Sequence, residues 1–563
     1  MSSSRPTSVR SALRSVPNEA RRAATLASLL ARVAWKTGLR AHLTRRGVQE
    51  LIAGILHNRA NPSLLYRFQA SVQPHKLAIV AGNQRITFAE LDTTIDRLGW
   101  GLRARGFQRG DRALLMLQNR PEFIALQPAM SRLGAAGVSV SWRSTPAELE
   151  YLLNHSGARA FFFDTTVADV VRRTLPNCPQ LSRDRVFSVG GEVDGFPSYD
   201  ALLREASPLP HDPGDEAAVI IYTSGTTGKP KGAVRKFPRD VVTGTLSMIL
   251  ASPLRVDDVH LAVMPFYHST AFAFTSLSHL VGGTVVLLDA FTPEGFLKAI
   301  EEHRITQTAV VPTLLHRVLQ LGKRRIWGHN MMSLRAIMTA GAPLSAGMAS
   351  SVEDVFGEVL YNFYGATETG LNTVATPEDL RASPGTIGRL IENNEIRLLD
   401  EQGNEVRRGE VGELFIRGPM MVAGYDQDEG ATKSAQRNGM FSVGDLGWLD
   451  ERGCYHLAGR KSDMIISGGV NVYPAEVEAV IESHPSVAEA AVVGVPDEEW
   501  GERVLAFVVA KTPGDAGIVQ AVTDRCRERL AGPKRPREVV VLEALPRNPT
   551  GKVLKTELRE VRS

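Results

Sequence analysis

The chain has 563 residues, 43% hydrophobic and 22% charged, with a formal net charge of +4. That length exceeds one ordinary domain, and the composition is that of a globular protein rather than a disordered or fibrous one. The three cysteines (Cys178, Cys454, Cys526) are too few and too scattered for a disulfide framework or a zinc site, which points to a reducing cytoplasm, and no apolar run is long enough to span a membrane.

Basicity is concentrated at the start. Residues 1–50 hold ten Arg and Lys against Glu19 and Glu50, and the remainder is slightly acidic, so the main body does not read as binding nucleic acid. The first sixty residues are Ser-rich, then Arg-rich, in the manner of a transit peptide, and lack the apolar centre of a secretory signal. Leu26, Leu29, Leu30 and Val33 recur at helical spacing among Arg21, Arg22, Arg32, Lys36 and Arg40. That pattern describes a basic amphipathic arm over residues 1–60. It either lies on an anionic membrane surface or packs on the protein's own surface with its basic face in water.

From residue 61 apolar strands alternate with helical stretches, the pattern of βαβ units and parallel sheets. Leu77-Ala-Ile-Val80 reads as a strand, Thr87-Phe-Ala-Glu-Leu91 opens an amphipathic helix, and Ala113–Leu117 is a buried strand after the turn Arg109-Gly-Asp111. A further strand, Ala217–Ile221, runs into Tyr222-Thr-Ser-Gly-Thr-Thr-Gly-Lys-Pro-Lys-Gly232, and Ala233-Val234 can start the next. Glycines that admit a close ligand, successive N–H groups, hydroxyls and two lysines suit a polyphosphate. Pro230 after Gly228-Lys229 sets the string apart from a Walker loop, and its length sets it apart from a plain hairpin turn.

Further on, His268 follows the strand-like Leu261–Pro265, where an isolated histidine is commonly structural. Ala271-Phe-Ala-Phe274 reads equally as core or as the border of a ligand pocket. Gly282–Leu288 and Thr308–Pro312 are strands around a helix, and Leu334–Pro343 is a strand closing in the small-residue turn Gly341-Ala342-Pro343. In Asn362-Phe-Tyr-Gly-Ala-Thr-Glu-Thr-Gly370 a single carboxylate, Glu368, stands among hydroxyls and glycines, as Mg²⁺ prefers when phosphate and water complete its shell. Asp445 lies in a glycine-flanked turn, and a carboxylate accepting two hydrogen bonds is the usual answer to a ribose diol. A polar stretch at Gly459-Arg-Lys-Ser-Asp463 and paired glycines at Gly468-Gly469 mark a hinge into a smaller α+β unit. Near the end, Pro549-Thr-Gly551 presents Lys552 at a loop tip, where a compact ammonium can meet a developing oxyanion.

Taken in order, these strings from about residue 61 to 560 resemble the adenylate-forming superfamily of acyl-CoA synthetases, luciferases and peptide-synthetase adenylation domains, and most of all bacterial fatty-acyl-CoA ligases. The resemblance implies a large α/β domain (61–459) with βαβ-built sheets and a small, mobile α+β C-terminal lid domain (460–563). It implies ATP contacts from Thr223, Ser224, Gly225, Thr226, Thr227, Gly228 and Lys231, with Gly341, Ala342 and Pro343 beside the adenine. Tyr364 and Gly365 would also border the adenine, Thr367 the α-phosphate, Asp445 the ribose, and Arg460 the ribose or phosphate. Glu368 would hold Mg²⁺, His268 would position the carboxylate, and Lys552 would be the catalytic lysine. Lys461 and Ser462 would form the hinge, and Gly468 and Gly469 the path for coenzyme A. Four departures are Ser139-Val-Ser-Trp142 where the family has proline and asparagine, Val443 before Gly444-Asp445, Ser462 at the pivot, and the extra N-terminal arm.

The expected reaction is ATP-dependent activation of a fatty acid through acyl-AMP, then transfer to CoA. The alternatives are an acyl-AMP ligase that loads a carrier protein, a CoA ligase for an aryl or sterol-derived acid, and a membrane-bound binding protein without turnover. Expected partners are fatty acid, ATP and CoA, with no nucleic acid, with an oligomer open, and with peripheral membrane contact through residues 1–50. The expected place is the cytoplasm or the inner face of the membrane.

Overall fold

The computed structural model describes residues 9–57, 61–205, 218–223, 231–288, 290–548 and 552–561. The candidate loop residues Ser224, Gly225, Thr226, Thr227 and Gly228 lie outside the described residues, as does the side chain of Thr223.

Among the described residues the chain builds three sheets. In the first, Val186–Val189, Ala160–Asp164, Arg112–Met116, Ala136–Ser139 and Ala218–Thr223 run parallel, and Lys231–Lys236 turns back antiparallel. Strands such as Ala160-Phe-Phe-Phe-Asp164 are buried throughout because helices cover both faces, so they read as continuous apolar runs. The second sheet is larger. Its parallel half contains Leu77–Ala81, Thr284–Leu287, Val259–Ala262, Gln307–Val310, Ala336–Thr339 and Leu360–Ala366. It continues antiparallel through Gly370–Ala375 and Thr386–Leu390 to Tyr455–Arg460 and Asp445–Leu449.

Helices between these strands begin where the sequence supplies caps. Thr87 accepts from the Glu90 N–H while Glu90 accepts from Thr87, a reciprocal capping box, and Thr145 with Glu148 repeats it. Arg460 closes the last strand of the large sheet, and Ile465 opens the third, five-stranded sheet, with Gly501–Ala510 at its centre and Val487–Asp497 along its edge. The architecture is therefore a large α/β domain with mixed sheets followed by a smaller C-terminal α+β domain.

The arm forms α1 (Val9–Thr37) and α2 (Arg45–Leu56), and α3 (Pro62–Val72) follows. The structure decides between the two readings of α1. Leu29 and Val33 are buried in the main core, and Leu26 and Leu30 pack against it. Lys36 donates to the carbonyls of Leu250 and Ser252 (2.7 Å), capping the C-terminus of the helix Arg239–Ala251 where cations are favoured. Arg32 pairs with Glu392 at 3.1 Å. The apolar row of α1 thus faces the protein itself and is not the surface a membrane would meet.

Candidate active site

The C-terminal ends of the central parallel strands of the large sheet gather the candidate residues, the usual place for a ligand in an open α/β sheet. The strand Leu360–Ala366 carries Tyr364 and Gly365 into a tight hairpin with Gly370–Ala375. At Gly365 a Cβ would lie 2.0 Å from the Gly370 carbonyl, so only glycine lets the two chains approach. The hairpin tip presents Thr367 and Glu368. Arg235 donates to the Thr367 carbonyl at 2.7 Å, and the Ser269 and Thr367 hydroxyls are 3.1 Å apart.

Glu368 is buried and accepts from the Tyr425 hydroxyl at 2.9 Å. Lys231, at the end of the phosphate-loop candidate, lies over the Tyr425 ring at 5.4 Å and pairs with Asp428 at 3.5 Å. No group of three or more His, Cys, Asp or Glu could form a metal cage among the described residues. A lone carboxylate held by one phenol donor fits a hard cation that takes the rest of its shell from phosphate and water. The donor set at Glu368 therefore suits Mg²⁺.

Asp445 sits across from Tyr364. It accepts from the Tyr364 hydroxyl at 2.9 Å and pairs with Arg460 Nε at 3.3 Å. Burial, and after it the Asp445 carboxylate, push the Tyr364 phenol well above its ordinary range, so it remains a donor. Asp445 and Arg460 face one another across neighbouring antiparallel strands, and register alone fixes their pairing. Lys552 reaches this cluster from the C-terminal domain. Its backbone N–H donates to Asn548 Oδ1 at 2.9 Å. Burial lowers the pKa of its ammonium; nearby Arg460 lowers it further, while Asp445 and Asp463 counter the fall. Hydrogen bond and ion pair thus join Tyr364, Asp445 and Arg460, and Lys552 comes near enough to Arg460 and Asp445 for their charges to act on its ammonium.

His268 precedes the helix Ser269–Val281, with its backbone N–H donating to the Pro265 carbonyl at 3.1 Å. Its Nε2 is buried and has no hydrogen-bond partner among the described residues. Burial, and then the Arg143 guanidinium, lower its pKa to about 4, so the ring is neutral near pH 7. Gly341, at a left-handed φ of 83°, begins the turn Gly341-Ala342-Pro343 beside Thr270 and Val311. Ala271 and Phe274 fall in the core, Phe274 edge-on to Phe363 at 5.2 Å, so the core reading of that stretch holds for these two side chains.

Lys461 donates to Glu413 at 3.0 Å and begins the short turn Lys461–Asp463 that contains Ser462. Gly468 and Gly469 both have positive φ. Gly469 is open on its Cβ side, while Gly468 lies against the Trp500 ring. Sequence reasoning passed over two residues of the site, Arg235 and Tyr425. The strand Lys231–Lys236 carries three basic residues, so nothing in the sequence set Arg235 apart from its neighbours. Burial lowers its pKa to about 10, with Glu368 opposing the fall, so it stays charged beside the hairpin tip.

A family model described as AMP-binding enzyme matches residues 66–426, and one for the AMP-binding enzyme C-terminal domain matches residues 476–552. The chain belongs to the AMP-binding enzyme family. Among curated relatives of this AMP-binding enzyme, a feruloyl-CoA synthase of Amycolatopsis is 34% identical over 87% of this chain and 97% of its own length. A long-chain fatty acid–CoA ligase of Mycobacterium tuberculosis is 33% identical over 89% of this chain and 98% of its own. The solved o-succinylbenzoate CoA synthetase of Bacillus subtilis, in complex with its acyl-adenylate intermediate, superposes with a TM-score of 0.76 at 30% identity, covering 89% of this chain and 98% of that one. Adenylate-forming enzymes of this kind share its two-domain architecture.

Proposed function

We propose that this AMP-binding enzyme is an AMP-forming acid–CoA ligase and that its acid is a fatty acid. The observation that carries the reading is the approach of the Lys552 ammonium to Asp445 and Arg460, because an ammonium delivered to a nucleotide-type site is what carboxylate activation needs. In the first step a carboxylate oxygen attacks the α-phosphorus of ATP, the bond to the bridging oxygen of the β-phosphate breaks, and pyrophosphate leaves. Lys552 neutralises charge on the carboxylate and α-phosphate, Asp445 accepts from the ribose hydroxyls, and Tyr364 holds Asp445 in place. His268, neutral and with a buried nitrogen to offer, orients the acid. Glu368 would hold Mg²⁺, which supplies further neutralisation of the phosphates when bound. In the second step the C-terminal domain turns about Lys461-Ser462 and withdraws Lys552. The thiol of CoA, delivered along Gly468-Gly469, gives up its proton, attacks the acyl carbon and releases AMP.

An aryl acid is the second reading. It is favoured by the feruloyl-CoA synthase and o-succinylbenzoate CoA synthetase likenesses, whereas the long-chain ligase favours the first. The division of labour is tested with Lys552→Ala. ATP–pyrophosphate exchange should fall by about 10²–10³, as for loss of one oxyanion-stabilising group, while thioester formation from supplied acyl-AMP persists. Equal loss of both half-reactions would overturn it.

A further inference from the structure

With the apolar row of α1 turned inward, the exposed apolar surface of the arm lies elsewhere. α2 docks on α3 through its small residues: a Cβ at Gly47 would lie 2.4 Å from Val72, and one at Gly54 2.4 Å from Leu64. This orientation points Val48, Ile52 and Leu56 outward at i, i+4 and i+8, exposed by 36%, 50% and 63%. Leu43 just before the helix and Trp35 at the end of α1 are 41% and 68% exposed. A surface helix ordinarily presents the opposite pattern, apolar inside and polar outside.

The charges around this stripe are mostly positive, with Glu50 on α2 and the exposed Asp257 in the cleft beside Trp35 as exceptions. Arg40, stacked over the Trp35 ring at 3.6 Å, and Arg45 and Arg46 in the first turn of α2 are exposed, and none has a carboxylate partner among the described residues. His42 and His57 add no negative charge, and Glu50 is the one acidic residue of α2. Exposed leucine, isoleucine and tryptophan bordered by arginines are the chemistry of an anionic lipid surface, which takes apolar side chains into the acyl boundary and arginines among the headgroups. A second copy fits less well. An isologous contact would set each copy's arginines against the other's, and one short helix face is well below the roughly 800 Å² per partner of a standard interface.

We infer that the outer face of α2, with Leu43 and Trp35, docks this protein on the surface of an anionic lipid bilayer. The placement is useful to an enzyme whose acid partitions into lipid. α3, on which α2 rests, is tied to the helix that starts at His268: Tyr66 meets His279 at 3.2 Å, and Gln69 donates to the Leu280 carbonyl at 2.7 Å.

The test is co-sedimentation of the full chain with phosphatidylglycerol-rich vesicles and with pure phosphatidylcholine vesicles. The intact chain should bind the anionic vesicles and bind the neutral ones more weakly. Ile52→Ser with Leu56→Ser should weaken binding to anionic vesicles at least about tenfold. Arg45→Ser with Arg46→Ser should weaken it roughly fivefold per arginine. All these positions are exposed, so thermal unfolding and turnover of a water-soluble acid should match those of the unsubstituted chain. Absence of vesicle binding by the unsubstituted chain, or binding that both double variants retain, would overturn the inference. Self-association lost in the Ile52/Leu56 variant without any vesicle binding would assign the face to a second copy instead.

Discussion

Glu482 gives the most quantitative prediction because it sits where the two domains meet. It ends the helix Pro474–Glu482, accepts from the Ala490 N–H at 3.3 Å and faces Ser345, which caps the large-domain helix Ala346–Phe356. Burial, and after it the neighbouring Glu478, raise its carboxyl from 4.5 to about 7. Glu478 is paired with Lys555 and Glu489 with Arg547, at 2.7 and 2.8 Å. The rise corresponds to ~3 kcal/mol against the ionised form. In the proposed turn of the C-terminal domain Glu478 and Glu489 would travel with Glu482, whereas the large-domain surface would not. The large domain acts on this carboxyl in two opposed ways, burial against its surface raising the pKa and the Ser345 hydroxyl lowering it, and the docked arrangement contributes the difference.

The sign follows from proton binding. The docked state, with its carboxyl raised to about 7, keeps a proton that the undocked state gives up at lower pH, so its stability falls as pH rises towards 7 and stays lower above it. Raising pH through 7 should therefore disfavour the docked arrangement that delivers Lys552. The ratio of ATP–pyrophosphate exchange to thioester formation from supplied acyl-AMP should fall as pH rises from 6 to 8. In Glu482→Gln, neutral at every pH, this component of the fall should vanish. Superimposable ratios for the two proteins would refute the reasoning.

Two further predictions rest on the same site. His268→Ala should raise KM for the acid by about tenfold, the worth of one buried hydrogen bond, with KM for ATP little changed. Because burial holds the imidazole near 4, no activity step between pH 6 and 8 should disappear with it. A lost step would mean that His268 titrates in the working enzyme. Gly365→Ala forces a Cβ to within 2.0 Å of the Gly370 carbonyl. It should cost about 1–3 kcal/mol in thermal unfolding and weaken ATP binding by shifting Thr367 and Glu368; full retention of both would contradict the close approach.

Much of the fold was legible because its signals are local. Parallel strands buried on both faces announce themselves as Phe161-Phe-Phe163 or Val285-Val-Leu287, and helices start at Thr87 and Thr145 because a threonine and a glutamate three residues on satisfy the first N–H groups. Candidate site residues could be named from the sequence where one short string carries them, as with Tyr364, Thr367 and Glu368. What escaped depends on partners distant in sequence. Arg235 and Tyr425 join the site only because the strands Lys231–Lys236 and Gly424–Tyr425 pair beside the hairpin that carries Glu368. The arm was ambiguous for a related reason. Periodicity gives an apolar row on α1 but not what covers it, and the helix that covers it lies some two hundred residues on.

The account rests on one reaction, and its most direct test is AMP release from ATP by the purified chain, with acids of graded chain length and with aryl acids, with and without CoA. The account predicts AMP and acyl-CoA in equal amounts, dependent on CoA and greatest with fatty acids. AMP release dependent on CoA with aryl acids alone would move the substrate to the second reading. Acyl-AMP accumulating without any response to CoA would contradict the ligase assignment itself.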